Sequence, residues 1–582
     1  MPPAPFTLIE DTDDLKHAMA RLAGRQLLAL DLETTGLDPH SDRVVLISVG
    51  DDSDQLLVDC RKVSPEPLAP LLEGPVVKVT HNGAFDLAML RSLGIRAENV
   101  LDTMLIEQVL ENGRGGGPRS LAALSDRYLG VTLDKSERLS FGRASGDLSE
   151  SQLEYARRDI LATYQILLEQ MPRLSQEGLE KTARVECGAV PAFADLHYDG
   201  VYLDRQAWSK LIDAARQERD SLRGEIDRHL KKVASTDLFG RVDINLESDA
   251  ELKAVLSRLL KKKITDVNKI SLKGIGHPVG GLLLKYREMN KIVSTYGESF
   301  LEAIHPKTGR IHADFQQIGA PTGRVACARP NLQNIPRGSR FRRCFCAPPG
   351  RRMVTADYSG CELRILAEMS DDPGFINTFQ RGGDLHSIVA SEIFSTPVAK
   401  DKNPELRDRA KAINFGLAYG MGAGGLATVT GVSLAEAERL LKRYFQAYPG
   451  VKQYLDGSAR TAVERGFAET LGGRKLFLQI GERMEGADLA AITRVAKNMP
   501  IQGTNADMLK VAMAGIRRRL FEVGQDAWMV NCVHDEILLE AEEGEAWDAA
   551  EIVREEMVKA GECYVKKVPM TVDVSVGDCW LK

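Results

Sequence analysis

The chain has 582 residues, 43% apolar and 27% charged, with 51 Gly and 24 Pro. That composition excludes a wholly disordered, collagen-like or disulfide-scaffold protein and leaves material for several cores, about four at roughly 150 residues each. The formal net charge is −6, so no global basic excess announces a polyanionic partner and any such case rests on local patches.

The start, M-P-P-A-P-F-T-L-I-E-D, has neither a basic n-region nor an apolar h-region. No apolar run approaches the roughly 20 residues that span a bilayer. Nine scattered cysteines form no C-x-x-C pair, which fits a reducing compartment better than a zinc ribbon. The expected location is cytoplasmic. The first stretch alternates strands and helices. R-Q-L-L-A-L-D-L-E (25–33), 43–50, 55–59 and 75–80 read as strands, with helical patterns near 84–93 and 149–172. This predicts an α/β unit of about 180 residues. The Gly-rich segment 111–120 lacks a phosphate-loop ending and receives no function. From about 205 to 300 the pattern changes to long charged helices. Residues 253–296 carry ten Lys or Arg against Asp266 and Glu288. Such a run is either a solvated face or a grip on a phosphate backbone. A Gly/Pro/Asn-rich tract follows, then a strand over 353–357, a helical zone over 404–465, and a strand–turn–strand near the end.

Two acidic constellations stand out. Asp31 and Glu33 lie two apart on a predicted strand, so both carboxylates share one face. Asp86 follows in H-N-G-A-F-D, and Asp159 in Y-A-R-R-D, one helical turn after Tyr155. If the four acids converge, they need cations, and two Mg²⁺ or Mn²⁺ ions would neutralise them and clamp a phosphodiester. The Tyr155 hydroxyl is placed to orient the attacking water. D-x-E alone is common at solvated strand ends. The ordered set of four acids and a tyrosine resembles the 3′→5′ proofreading exonucleases, and the resemblance implies a ribonuclease H-like fold. In the second constellation, Asp357 ends a strand, and Asp535 and Glu536 sit at the predicted hairpin turn V-H-D-E. Two strands that each deliver an acid suggest a second two-metal phosphoryl site. Between them Arg407, Lys411, Phe415 and Tyr419 recur every four residues, which makes one slowly winding helical stripe. Cations suit a triphosphate and aromatic planes suit a sugar or base. An amphipathic helix with two core aromatics would read the same way.

P-T-G-R-V-A-C-A-R-P-N-L-Q-N-I-P-R, D-Y-S-G-C-E-L-R-I-L-A-E, the Arg407-to-Gly420 helix, N-M-P-I-Q-G-T-N-A-D-M-L-K, V-S-T-Y (293–296) and V-H-D-E occur in order. With them the chain resembles the family A DNA polymerases, the bacterial DNA polymerase I type, from Asp31 onward. The resemblance implies a ribonuclease H-like exonuclease domain (1–184) and a right-hand polymerase domain (185–582), α/β and α+β. Within the hand it implies a thumb near 200–300, a palm near 301–372 with 505–582, and fingers near 373–504. It implies DNA-templated extension of a primer with dNTPs, linked to proofreading, by a monomer.

Carried over residue by residue, the resemblance makes Asp357 and Asp535 metal ligands, with the Tyr358 carbonyl added and Glu536 a supporting acid. Arg407, Lys411 and His386 (in D-L-H-S) would bind the triphosphate, and Lys411 would be the proton donor to pyrophosphate. Glu362 resembles the steric gate that fills the space of a ribose 2′-hydroxyl. Phe415 would pack near the sugar 3′ position, and a Phe there implies discrimination against dideoxynucleotides. Tyr419 would stack near the templating base. Arg324, Asn331, Gln333, Asn498, Gln502 and His534 would contact primer–template DNA. The basic run would lie on the thumb, which favours the phosphate grip. The chain departs from the pattern at Gly360 and Cys361, where Gln and Ile are usual, at Glu368 for His, and at Cys532 for Gln. Looser base selection is the expectation from Gly360 and Cys361. No 5′ nuclease precedes the exonuclease in this sequence, so flap cleavage in cis is not expected, and a phage or mobile-element replicase or a repair enzyme is. Two alternatives remain: an exonuclease whose right hand merely binds nucleic acid, and a non-catalytic primer–template binding module.

Overall fold

The structure is a computed structural model that describes residues 5–22, 24–143, 146–237, 242–337, 340–418, 421–481 and 486–581. The chain packs as two compact units, one comprising 1–201, 312–334 and 347–581, the other 202–311 and 335–346. Among the described residues no helix is long and apolar enough to cross a membrane. All nine cysteines are free thiols.

The first unit opens with a six-stranded mixed sheet. Its strands are β1 (Phe6–Ile9), β2 (Leu27–Thr34), β3 (Val44–Gly50), β4 (Gln55–Asp59), β5 (Val77–Thr80) and β6 (Val100–Asp102), in the order β1-β4-β3-β2-β5-β6. β2 runs antiparallel to β3 and parallel to β5. β3 (V-V-L-I-S-V-G) is buried along its whole length. A strand covered on both faces is apolar without alternation, which is why its sequence shows no period of two. Helix Glu150–Glu177 lies against β2, β3, β4 and β5. It starts at Ser149, whose hydroxyl and the Gln152 side chain form a reciprocal capping box, and stops at Gly178 in the left-handed conformation. The sheet and this helix make the mixed α/β unit that the resemblance implied.

The same unit contains a four-stranded antiparallel sheet in the order Ala527–Val533, Glu536–Glu542, Arg351–Tyr358, Val572–Gly577. Helices Ala487–Glu522 and Ala546–Glu562 pack on each other and on these strands. Between its first and later strands the chain builds helices that include Cys361–Ser370, Leu385–Phe394 and Pro404–Ala418.

A buried ionic cluster ties these parts together. Glu186, Arg474, Asp507 and Lys510 are all nearly inaccessible. Lys510 Nζ donates to Glu186 Oε1 at 2.5 Å and to the Gly323 carbonyl at 2.7 Å. Arg474 donates to Asp507 Oδ1 at 2.8 Å and also to Glu186. The Gly-rich loop left without a function has a structural task nearby. The Asn112 amide donates to the carbonyls of Pro321 (2.9 Å) and Lys475 (2.8 Å).

In the second unit, helices Arg205–Leu230 and Pro278–Tyr296 pack along one another, with Asp249–Leu260 beside them. Asp204 caps the first helix by accepting from Gln206 and Ala207 N–H. Trp208 is buried among Tyr296, Phe300, Phe341 and Phe345 and donates its indole N–H to the Tyr296 carbonyl at 2.8 Å. Lys261, Lys262 and Lys263 are exposed, whereas Arg287 is engaged by Asp249 at 3.1 Å.

Two candidate active sites

The central strand β2 carries Asp31 and Glu33 on one face, and helix Glu150–Glu177 brings Asp159 to them. Carboxylate oxygens of the three lie within 4.8 Å of one another, and among the described residues they are the one such trio. Tyr155 stands one turn before Asp159 and is buried. Asp86, in the first turn of helix Gly83–Arg91, is buried and near enough for its charge and that of Asp31 to oppose each other, but lies outside the trio.

Burial and then Asp159 push the Asp31 carboxyl up to about 7; burial and then Asp31 and Asp159 push Glu33 up to about 10. Burial also raises Asp86 well above, and Asp159 above, the usual carboxylate range. Buried oxygens whose charged forms repel one another are the donor set that a hard divalent cation fits. One side chain that the sequence reading missed already answers part of this charge. Lys135 Nζ donates to Asp159 Oδ2 at 2.5 Å and lies 3.5 Å from the Tyr155 hydroxyl oxygen.

The second site sits at one end of the four-stranded sheet. Strand Ala527–Val533 turns into Glu536–Glu542 through His534 and Asp535 alone. His534 takes φ +58°, the left-handed region that such a tight turn demands and a side chain resists. Asp357 faces Glu536 across the ladder, and the Tyr358 N–H donates to the Asp535 carbonyl at 3.2 Å. The register therefore brings Asp357 and Asp535 to the same sheet end. Asp573 faces Asp357 from the other side. Glu536 differs from expectation. It is the first residue of the strand, not part of the turn, is buried, and accepts the Trp580 indole N–H at 2.5 Å. A carboxylate inside a sheet must be satisfied there, and Trp580 does so.

The other predicted residues are placed as follows. Arg407 makes a bidentate pair with Asp384, at 2.6 and 2.8 Å. Asp384 also caps helix Leu385–Phe394 through the Ser387 N–H. Lys411 is exposed on the Arg407 helix. Burial lowers His386 to about 4, and its Nδ1 lies 3.1 Å from the Asn414 amide. Glu362 is buried and paired with Arg324. The Gln333 amide donates to the Cys532 carbonyl at 3.2 Å, and Asn331 accepts the Gln333 N–H at 3.0 Å. Gln502 is buried and Asn498 half-buried on helix Ala487–Glu522. Tyr358 donates its hydroxyl to the Met557 carbonyl at 2.6 Å. Cys361 is buried, with its thiol 3.1 Å from Asn505 Oδ1, and Glu368 accepts the N–H groups of Lys566 and Lys567 at 2.7 Å each. Gly360 caps helix Cys361–Ser370 at φ +65°, a conformation suited to glycine. Tyr419 and the Phe415 side chain lie outside the described residues.

Comparison with known proteins meets both sites. The family described as DNA polymerase family A matches residues 213–582, and that described as 3′-5′ exonuclease matches residues 6–174. DNA polymerase I of Chloroflexus aurantiacus is 32% identical over 99% of the chain, which covers 64% of that protein. DNA polymerase I of Pseudomonas aeruginosa is 33% identical over 99% of the chain, which covers 66% of that protein. The chain thus spans about two thirds of the length of these curated relatives. DNA polymerase I of Aquifex aeolicus, 31% identical, is matched over 99% of the chain and 100% of its own length. The solved POL domain of Pol1 from M. smegmatis, in complex with DNA primer-template and dNTP, superposes with a TM-score of 0.83 at 28% identity, over 99% of each chain.

Proposed function

The chain belongs to DNA polymerase family A and carries the family's 3′-5′ exonuclease domain, and from that premise we propose that it extends a primer 3′ end with dNTPs on a DNA template and trims mispaired ends at a second site. The observation that carries this reading is the ladder register that sets Asp357 beside Glu536 and the Asp535 turn. Divalent cations, magnesium with manganese as a substitute, supply charge neutralisation and hydroxyl activation when bound. Asp357 and Asp535, with the Tyr358 carbonyl, would hold them for synthesis, and Asp31, Glu33, Asp86 and Asp159 would hold them for trimming.

Arg407 and Lys411 bind the triphosphate, with neutral His386 beside it, and Arg407 leaves Asp384 to do so. Lys411 passes a proton to the leaving pyrophosphate. Glu362, held by Arg324, excludes a 2′-hydroxyl, and Phe415 packs near the sugar 3′ position, so Phe415→Tyr relaxes discrimination against dideoxynucleotides. Arg324, Asn331, Gln333, Asn498, Gln502 and His534 line the primer–template path. They face minor-groove acceptors common to all base pairs and check shape without reading sequence. Tyr419 stacks near the templating base. The exonuclease, thumb, palm and fingers occupy the ranges given above, and the exposed lysines near 261–263 grip the DNA backbone. Work on DNA and dNTPs fits a cytoplasmic protein in replication or repair.

Primer extension and single-strand degradation, run on one preparation with Mg²⁺, test the reading. Asp31→Ala abolishes degradation and leaves extension; Asp535→Ala does the reverse. Loss of both activities in both variants overturns the two-site reading. Degradation without any extension in the unaltered protein would favour an exonuclease with a binding hand.

A further inference from the structure

Lys135 belongs to neither set of residues carried over from the resemblance, yet it stands inside the trimming site. It lies in the irregular stretch before the short turn Ser136–Leu139 and reaches over helix Glu150–Glu177. Its ammonium donates to Asp159 Oδ2 at 2.5 Å, lies 3.5 Å from the Tyr155 hydroxyl oxygen and 5.0 Å from the Tyr155 ring centre. The side chain is one-third exposed while Asp159 is buried, so the ammonium lies between that carboxylate and solvent. Its charge also acts on Asp31 and Glu33. Arg138 adds a second cation within electrostatic range of Asp31 and Asp159.

We propose that Lys135 is the resident counter-ion of the trimming site, competing with a divalent cation for Asp159 and giving up that carboxylate when a DNA phosphate arrives to take the ammonium. This rests on the exonuclease reading of the Asp31, Glu33, Asp159 trio. The argument is one of charge and place. Once a divalent ion displaces the protons of Asp31 and Glu33, a lone ammonium cannot neutralise the three carboxylates, and the ion bound among them repels an ammonium held on the same oxygen. A phosphodiester brought to Asp159 and Tyr155 must pass the solvent side where Lys135 sits. It offers the ammonium a new anionic partner there. Full cation loading is then linked to substrate, and without substrate the lysine stays on Asp159. Lys135 acts on the acids as a positioning residue and on the phosphate as a direct contact.

Manganese binding, followed by electron paramagnetic resonance of the full chain carrying Asp535→Asn to silence the other site, provides a test independent of turnover. Without DNA, Lys135→Met binds Mn²⁺ about tenfold more tightly than its parent, as expected when a competing cation is removed, and Lys135→Arg binds as the parent does. In EDTA, affinity for a single-stranded oligonucleotide loses about one unit of log–log salt slope in Lys135→Met. Unchanged or weaker Mn²⁺ binding, or an unchanged salt slope, in a variant that melts normally overturns the proposal. Should Lys135→Met melt early, Lys135→Gln is put through the same measurements. Asp31→Ala separates the two claims. If it leaves Mn²⁺ binding intact, the exonuclease reading itself fails, whereas Asp31-dependent binding that ignores Lys135 sinks the counter-ion role alone.

Discussion

Asp31 and Glu33 keep their protons in the folded, cation-free chain to about pH 7 and about pH 10, whereas the ordinary values are 3.8 and 4.5. An unfolded chain therefore binds fewer protons than the folded one above about pH 4. The sign follows: stability falls as pH rises from about 4 towards 7 on account of Asp31, and on towards 10 on account of Glu33. Asp31→Asn removes one of these penalties. In EDTA at pH 8 it should melt about 1 °C higher than the unaltered protein for each 1 kcal/mol regained, as the unit is large, while degrading no DNA. Differential scanning calorimetry with and without Mg²⁺ measures it, and added Mg²⁺ should raise the protein that retains Asp31 further than the Asp31→Asn variant, which keeps only the second site intact. A second residue-scale expectation concerns Glu362, buried and paired with Arg324. Glu362→Ala opens the space of a ribose 2′-hydroxyl and unpairs Arg324. Ribonucleotide incorporation should rise by about tenfold or more, the equivalent of about 1.4 kcal/mol of lost discrimination, while extension with dNTPs slows.

At the scale of elements, the positions that matter are fixed by turns and registers. Gly323 sits at φ +85°, and a Cβ there would meet the Arg474 guanidinium carbon at 2.7 Å. Arg474 is locked to Asp507 and Glu186 and cannot retreat. Gly323→Ala should cost about 1–3 kcal/mol in backbone strain alone, read as a lower urea midpoint, and should slow extension because Arg324 is the next residue. The sequence made several such features legible. Asp31 and Glu33 two apart on a strand, and Tyr155 one turn from Asp159, are consequences of strand and helix periods, so they can be read in advance. The end of β2 and the V-H-D-E hairpin were legible for the same reason, although Glu536 belongs to the strand and is held by Trp580. Lys135 was not legible, because its loop has no period and it meets Asp159 across 24 positions of chain. Asp384 was not legible as a partner either, because its pairing with Arg407 spans 23 positions. Asp86 has the right motif, yet its place outside the trio depends on helix packing that no local pattern states.

Across the whole first unit, charged side chains join segments that are distant in sequence. Glu186 and Lys510 meet across 324 positions, both inaccessible to solvent. Arg517 pairs with Asp195 at 2.6 Å and with Glu98, and Asn112 bonds to Pro321 and Lys475. Such partners look like surface charges on amphipathic helices until the fold is known. Breaking a buried pair costs about 3–5 kcal/mol. Because Glu186 keeps Arg474, Lys510→Met belongs at the low end, about 3 kcal/mol. Chemical denaturation measures it, and a loss below about 1 kcal/mol would show that the cluster adds little. The four tryptophans fall in separate settings: Trp208 in the second unit, Trp528 beneath Arg351 at 3.7 Å, Trp547 at the surface with 68% exposure, and Trp580 on Glu536. The last of these gives the protein a built-in optical reporter. With the other three indoles replaced by phenylalanine, the emission of Trp580 would follow the electric field one residue away from Asp535, so the state of the centre proposed for synthesis can be watched in solution without an attached dye.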